Sequence, residues 1–373
     1  MSERTTPPFR ADHVGSLIRP EALIAARRAA EQGALAASEL RRIQQDAIRD
    51  VVRLQEKLGF RLVTDGEFNR GSWQRDFLLK LKNVTLVPPR LAVRFHSAAG
   101  AREQRPPSLQ VTGRLERPQG IFVEDFRFLT AVAEVMPKVT LPSPTLLHFR
   151  GGRAAIDRAA YPDMAEFYRD LARVYREEIR DLAAAGCRYL QIDEVNLAYL
   201  CDPALREEVA RMGEDPASLP ATYARLINDA IAQRPPDMTV CMHLCRGNFA
   251  GAWIAEGGYD PIAELLFNAI DVDGYFLEYD TPRAGSFAPL RFLPKGKVAV
   301  LGLVTTKGPQ REGADTLKRR IEEASRHAPI EQLCLSPQCG FSSAIGGNAM
   351  GVEEEIAKLR LVVDTARDVW GSA

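Results

Sequence analysis

The chain is poor in the residue types that most often carry metal or redox chemistry: 373 residues hold five histidines, six cysteines and three tryptophans. Cysteines this sparse do not make a disulfide framework, so they read as packing, metal-binding or reactive groups in a reducing compartment. Neither sign of charge is in excess. Lysine plus arginine and aspartate plus glutamate number 49 each, which leaves no electrostatic footprint for nucleic acid or an anionic membrane. No apolar run is long enough to span a bilayer; VAVLGLV at 298–304 is the length of a strand. The opening residues, MSERTTPPFRADHVGS, lack the apolar stretch of a secretory signal. Internal repeats and low-complexity segments are also missing. These absences predict a cytoplasmic protein with neither a nucleic-acid nor a membrane partner.

What is present is a regular alternation. Hydrophobic residues make up 46% and charged residues 26%, ordinary for a chain that buries a large core. Short β-rich runs lie at 138–144, 189–195, 239–245, 273–280, 297–306 and 332–340, with two more, RADHVGS and RLVTDGE, at 10–16 and 61–67. Segments of helical period separate them. One begins at Asp163, with Glu166 completing a capping box, and its stripe of Phe167, Leu171, Val174, Ile179 and Leu182 stops at Gly186. Another covers 20–58, its second half bounded by Ser38 and Gly59, and later ones lie near 219–233, 313–326 and 352–367. About eight β-then-α units are the number that closes a parallel barrel, so residues 1–373 are expected to form a single (β/α)8 TIM barrel. The stretch 82–118, rich in proline and arginine, breaks this rhythm and reads as a hairpin-like excursion with a mobile tip around 97–106.

The β runs end in polar or ligand-type residues, and strand C-termini are where barrels build their chemistry. In M-H-L-C-R-G-N at 242–248, His243 and Cys245 stand two apart and so share a strand face. Glu278 ends the next run, and Cys339 ends the last in S-P-Q-C-G. Taken singly, each has a bland reading: a packed core histidine beside a buried cysteine, a surface ion pair, a small apolar filler. Jointly, two thiols, an imidazole and a carboxylate at successive strand ends suit Zn(II) better than magnesium or calcium. Cys187, Cys201, Cys241 and Cys334 are assigned to packing.

H-L-C-R-G-N-F, the glutamate ending the following run and L-S-P-Q-C-G-F together resemble the catalytic domain of cobalamin-independent methionine synthase. D-H-V-G-S-L-I-R-P at 12–20, T-D-G-E-F-N-R at 64–70 and L-Q-I-D-E-V at 190–195 extend the resemblance, in family order, over nearly the whole chain. The resemblance implies that His243, Cys245, Glu278 and Cys339 are the zinc ligands. It places Ser16, in the Gly15-Ser16 turn, at the carboxylate of homocysteine, and Glu67 and Asp193 at its ammonium group, as the catalytic-site acids. The alternative for both acids is a salt bridge to Arg70 or Arg75. Two departures stand out. The additional N-terminal barrel of full-length members is missing, as in short relatives, and Thr305, Thr306 and Lys307 occupy the region of a family histidine thought to protonate the departing pterin. Of the folate-binding part, only R-P-P at 105–107 is similar.

The expected activity is zinc-dependent methyl transfer to homocysteine, giving methionine, from a methylfolate or another methyl carrier. A thiol of pKa about 8.5 is mostly protonated at neutral pH, and coordination to zinc removes that proton. Glu278 is the ligand expected to yield to the incoming sulfur. Trp73, His96 and His148 are candidate contacts for the other substrate, each with packing as its alternative. The partners are a small thiol and a methyl donor, with a methyl-carrier protein as one form of the latter. Three rival functions are an alkyl transfer to another thiol resembling the epoxyalkane:coenzyme M transferases, a lyase resembling uroporphyrinogen decarboxylase, and a zinc-binding regulatory or storage protein.

Overall fold

The β-branched and aromatic runs form strands, and the amphipathic segments between them form helices, in alternation. A computed structural model describes residues 3–89, 93–97, 100–104, 106–342 and 350–373. Its strands are β1 (Leu62–Val63), β2 (Lys82–Val87), β3 (Val93–Ser97), β4 (Gly100–Gln104), β5 (Ser108–Glu116), β6 (Met136–Pro137), β7 (Val139–Pro142), β8 (Tyr189–Glu194), β9 (Thr239–Leu244), β10 (Gly274–Glu278), β11 (Val298–Val304) and β12 (Leu333–Pro337).

Six of these make one parallel sheet in the order β12-β11-β10-β9-β8-β7, with sequence neighbours adjacent in space. Beyond β7, β1 pairs in parallel with β6, and the Lys138 N–H donates to Val63 O at 2.8 Å. Beyond β12, Ala11 forms a parallel bridge to Leu335, flanked by Asp12 N to Leu335 O at 3.0 Å and Leu335 N to Arg10 O at 2.9 Å. Leu17 N then donates to Gly66 O at 3.1 Å, and Thr64 Oγ1 to Gly15 O at 2.6 Å. The run expected at 10–16 therefore lies between β12 and the end of β1, bonded to both, but as one bridge and not a regular ladder. The Asp12 carboxylate takes one of its donors, the His13 N–H at 2.8 Å, and also the N–H of Phe9 just before the run at 3.3 Å.

The helix Met164–Ala184 starts at the expected residue, with the Asp163 carboxylate accepting the Ala165 N–H at 2.9 Å and the Phe167-to-Leu182 stripe buried. The expected capping box does not form, because the Glu166 carboxylate turns to Arg114. The region 20–58 splits into Glu21–Glu31 and Ala37–Leu58. Here the expected boundary moves: Ser38 lies inside the first turn after the uncapped Ala36, whereas Gly59 closes the helix at φ 95°. The excursion holds two antiparallel pairs, β2 with β5 and β3 with β4. The second is tied to the loop after β9, since His96 and Trp253 exchange backbone hydrogen bonds of 2.7 and 2.9 Å. Part of its expected tip, residues 98, 99 and 105, lies outside the described residues.

Buried side chains from Ala11 to Ala373 form the larger core, which includes Cys187 and Cys201. Alternate residues of β8 to β12 form a smaller cluster with Phe9, Val14 and Leu62, and this contains Cys241 and Cys334. These four cysteines are buried, as packing residues should be. Among the described residues, no helix is long and apolar enough to cross a membrane.

Candidate metal centre and substrate pocket

Parallel strands point their C-terminal ends one way, and the expected ligands meet there. The ligand atoms of His243, Cys245, Glu278 and Cys339 all lie within 4.8 Å of one another. Two of the four come from β9 and β10, whose register sets Phe276 beside His243. Cys245 stands one residue past β9 and Cys339 two past β12. The sulfurs are 3.6 Å apart, and His243 Nε2 is 3.9 Å from Glu278 Oε1. All four side chains are buried.

The set fits a metal on a point of elementary accounting. A buried imidazole is expected to be hydrogen-bonded at its polar nitrogens, yet among the described residues neither ring nitrogen of His243 has an acceptor or donor at hydrogen-bond distance, Glu278 Oε1 standing 3.9 Å from Nε2. Two thiols, one imidazole and one carboxylate are zinc-type donors. The four groups shift one another's protonation. The Cys245 thiol is pushed up by its contact with Cys339 and by burial. Cys339 is pulled down by that same contact, against burial, with His243 and Lys307 helping. Burial, then the neighbouring Cys339, raises the Glu278 carboxyl.

Several groups surround the four side chains and hold them in place. Glu278 Oε1 accepts the Arg246 N–H at 3.1 Å, and Glu278 Oε2 faces Arg283 Nη2 at 3.3 Å. Arg283 also pairs with Asp280 at 2.8 Å and lies over the Trp253 ring at 5.0 Å. Gly247 N–H points at Cys245 Sγ at 3.3 Å, and Asn248 Nδ2 lies 3.7 Å from Cys339 Sγ. Lys307 donates to Gly247 O at 3.0 Å. These supports escaped the sequence reading. Arg283 follows Glu278 by five residues, but no periodicity marks it.

A cavity of about 260 Å³ opens over the cluster and is lined by His243, Cys245 and Cys339 together with Ser16, Glu67 and Asp193. Glu67 is buried, with Oε1 accepting from Thr140 Oγ1 at 2.9 Å and Oε2 unpartnered. Asp193 accepts from Gln191 Nε2 at 2.7 Å. Burial pushes its carboxyl up to about 7, with His243 opposing and Glu67 adding to the rise. The salt-bridge alternative holds in part: Glu67 meets Arg70 at 3.4 Å, while Arg70 makes its shorter bonds to Thr140. Arg75 pairs with neither acid. Gly15 has φ 134°, and a Cβ there would stand 2.7 Å from Thr140 Cγ2 and 3.9 Å from Glu67 Oε1, so the Gly15-Ser16 turn abuts the acid. Ser16 O accepts the Phe341 N–H at 2.9 Å, which ties the turn to the segment after Cys339.

Trp73 lines the cavity, as do Phe95 and Phe249, whose rings are 5.6 Å apart. His96 and His148 do not line it. His96 stacks on Trp253, and His148 is buried between Tyr223 Oη at 2.9 Å and Glu214 at 3.6 Å, a packing role in each case.

Fold and donor set define an α/β metalloenzyme with a zinc-type centre at the strand C-termini. Residues 9–368 match the family model described as the catalytic domain of cobalamin-independent synthase, and the chain belongs to that family. It is 44% identical to the uncharacterized protein YxjH of Bacillus subtilis, over 97% of this chain and 95% of that one. It is 37% identical to the solved putative vitamin-B12 independent methionine synthase of Listeria monocytogenes, with a TM-score of 0.78, covering 99% and 100% of the two chains. A 5-methyltetrahydropteroyltriglutamate–homocysteine methyltransferase of Mycobacterium tuberculosis is 24% identical over 97% of this chain, which spans 43% of that enzyme. A methionine synthase from Shewanella, solved with selenomethionine, shares the fold at 19% identity and a TM-score of 0.71.

Proposed function

We propose that this protein transfers a methyl group from a small donor to the sulfur of homocysteine, giving methionine, with zinc held by His243, Cys245, Glu278 and Cys339. The observation that carries the reading is the orphaned, buried imidazole of His243 beside two sulfurs at the floor of a cavity that also presents Glu67 and Asp193. Zinc bound by this set supplies the Lewis acidity that keeps a thiol deprotonated at neutral pH. The free Oε2 of Glu67 and the carboxylate of Asp193 bind the ammonium group of the amino acid. The turn at Gly15-Ser16 receives its carboxylate. Together they fix the sulfur's position over the cavity floor, which turns a bimolecular encounter into a local one. The apolar wall of Trp73, Phe95 and Phe249 excludes water from the reacting atoms. The new S–CH3 bond forms as the donor's bond to its methyl breaks, and that electron pair leaves with the donor.

The same reading includes the architecture: residues 10–15 complete a closed eight-stranded barrel by joining β12 to β1, and residues 1–373 make a single catalytic domain in the cytoplasm. The hydrogen bonds on both sides of Ala11 to Leu17 support it. Two carboxylates in the cavity favour an amino-acid thiol over a sulfonate-bearing one, and the zinc-type donor set disfavours a metal-free lyase.

The test is to incubate the zinc-loaded protein with homocysteine and a panel of methyl donors and to follow methionine by mass spectrometry. Cys245→Ser and Cys339→Ser are expected to lose both zinc and product. Either variant keeping one zinc per chain and full thiol methylation would show the ligand assignment to be wrong.

A further inference from the structure

Of the four residues that bring zinc-type donors together, His243, Cys245 and Cys339 line the cavity and Glu278 does not. The Glu278 carboxylate is engaged within the protein instead, at both oxygens. Oε1 accepts the Arg246 N–H at 3.1 Å, and Oε2 accepts from Arg283 Nη2 at 3.3 Å.

Arg283 does not belong to Glu278 alone. The same Nη2 stands 2.8 Å from Asp280 Oδ1, and Nη1 donates to Asp280 Oδ2 at 3.2 Å and to Thr281 Oγ1 at 2.7 Å. Asp280 thus takes both prongs of the guanidinium fork, the arrangement in which arginine binds a carboxylate best, and Glu278 receives one longer contact. All three groups are drawn away from water. The side chains of Glu278 and Asp280 are 0% exposed and that of Arg283 is 7% exposed, with the Trp253 ring 5.0 Å from its guanidinium carbon. Charges so placed are weakly screened, so two carboxylates compete for one cation at close quarters. What Asp280 takes of Arg283 is withheld from Glu278, and this leaves Glu278 available to a metal.

We propose that Asp280 and Arg283 are a positioning pair that sets how firmly Glu278 holds the ion. Asp280 draws Arg283 off Glu278 and keeps that carboxylate free to serve as a ligand. Arg283 in turn receives the carboxylate when a thiol in the cavity takes its place, a second step that rests on the thiol-methylation reading. Neither residue touches the substrate, and both act through Glu278.

Competition with a chromophoric zinc chelator, in protein that has met no thiol, tests the first step. Asp280→Asn keeps the shape and frees the fork for Glu278. The zinc affinity is expected to fall by about tenfold to a hundredfold, the range over which partners of metal-binding side chains act. Adding Arg283→Gln removes the cation without stranding a buried aspartate, and should restore the affinity to the parent's or beyond. A pair that only packs gives the opposite result, because a second loss would weaken binding further or leave it where the first had put it. Either outcome would overturn the proposal, as would parental affinity in Asp280→Asn. In a Glu278→Gln background, Asp280→Asn should no longer alter the affinity. A change that persisted there would show the charges acting on the ion directly and would also overturn it. The thiol step is read separately, with cobalt(II) in place of zinc and its visible absorption followed as homocysteine is added. Asp280→Asn should lower the homocysteine concentration at half-change by about tenfold, and the double variant should reverse this; an unchanged midpoint would overturn the second step. A parent whose absorption ignores homocysteine would fail the thiol reading and leave the zinc affinities to decide the first step.

Discussion

Glu67 holds its backbone at φ 61°, a region that costs a non-glycine residue about 1–3 kcal/mol unless its surroundings impose it. Here they do. Asp65 Oδ1 accepts the Glu67 N–H at 2.8 Å, Arg19 Nη2 donates to the Glu67 carbonyl at 2.9 Å, and Thr140 Oγ1 fixes the carboxylate. The result is an acid aimed into the cavity with one oxygen left over. Glu67→Gln keeps the shape and removes the charge. It is expected to raise KM for homocysteine by about tenfold to a hundredfold, the worth of a charged hydrogen bond, with zinc content unchanged. A parental KM would remove Glu67 from the substrate site. Glu355 shows a different use of a buried carboxyl. Burial pushes it up to about 8 from 4.5, eased by the Ile18 N–H at 2.9 Å. Its folded-state pKa is raised, so between these values the folded protein keeps a proton that the unfolded chain releases. Stability therefore falls as pH rises through this window, each tenfold change in proton affinity being worth about 1.4 kcal/mol. Glu355→Gln should flatten that slope, stabilising the protein at the alkaline end and leaving the acid end unchanged. Denaturant melts across the range would show it, and parallel curves for parent and variant would refute it.

Elements carry the site through close approach as much as through ligands. Gly302 in β11 has its missing Cβ 2.8 Å from the Cα of Gln338 and 2.9 Å from the Leu277 carbonyl. The strand bearing Glu278 and the segment leading to Cys339 thus meet across a glycine that leaves no room for a methyl. Gly302→Ala should cost about 1–3 kcal/mol, as overpacking of backbone does, and should also weaken zinc binding, because it wedges two ligand-bearing segments apart. Loss of stability with unchanged zinc affinity would confine Gly302 to packing. Nothing in the sequence around it, V-L-G-L-V, distinguishes this glycine from any other in an apolar strand. The strands themselves were legible, since β-branched runs ending in ligand-type residues recur at regular intervals, and the helix from Met164 announced its start through Asp163. The run at 10–16 was legible as extended chain but not as a single bridge, because the capture of two backbone donors by Asp12 is a matter of side-chain orientation. The excursion was legible as a break in rhythm. Its inner pair, β3 with β4, is the local hairpin expected there, but the docking of His96 on Trp253 joins residues 157 positions apart, which no local pattern can reveal.

At the scale of the whole molecule the four candidate ligands gather the ends of β9, β10 and β12, so a metal held by them would bind the folded chain and not the unfolded one. The ligand set was readable because histidine and cysteine are scarce enough in this chain for H-x-C to stand out. The supporting charges were not, because Arg246, Arg283 and Lys307 are three among 49 basic residues and only folding places them beside the cluster. Metal binding and folding are then linked. At a free zinc concentration about a thousandfold above its dissociation constant, the folded state gains about 4 kcal/mol, and in a chain of this size each kcal/mol moves the thermal midpoint by about 2 °C. Zinc-stripped protein should melt several degrees below the zinc-loaded form, the difference should vanish in Cys245→Ser, and scanning calorimetry measures both. Cys241→Ser, which alters a buried cysteine outside the cluster, should lower the midpoint and keep the zinc-dependent rise, and this separates loss of packing from loss of the ion. A parent whose midpoint ignores zinc would mean that the two sulfurs, the imidazole and the carboxylate meet without forming a metal centre.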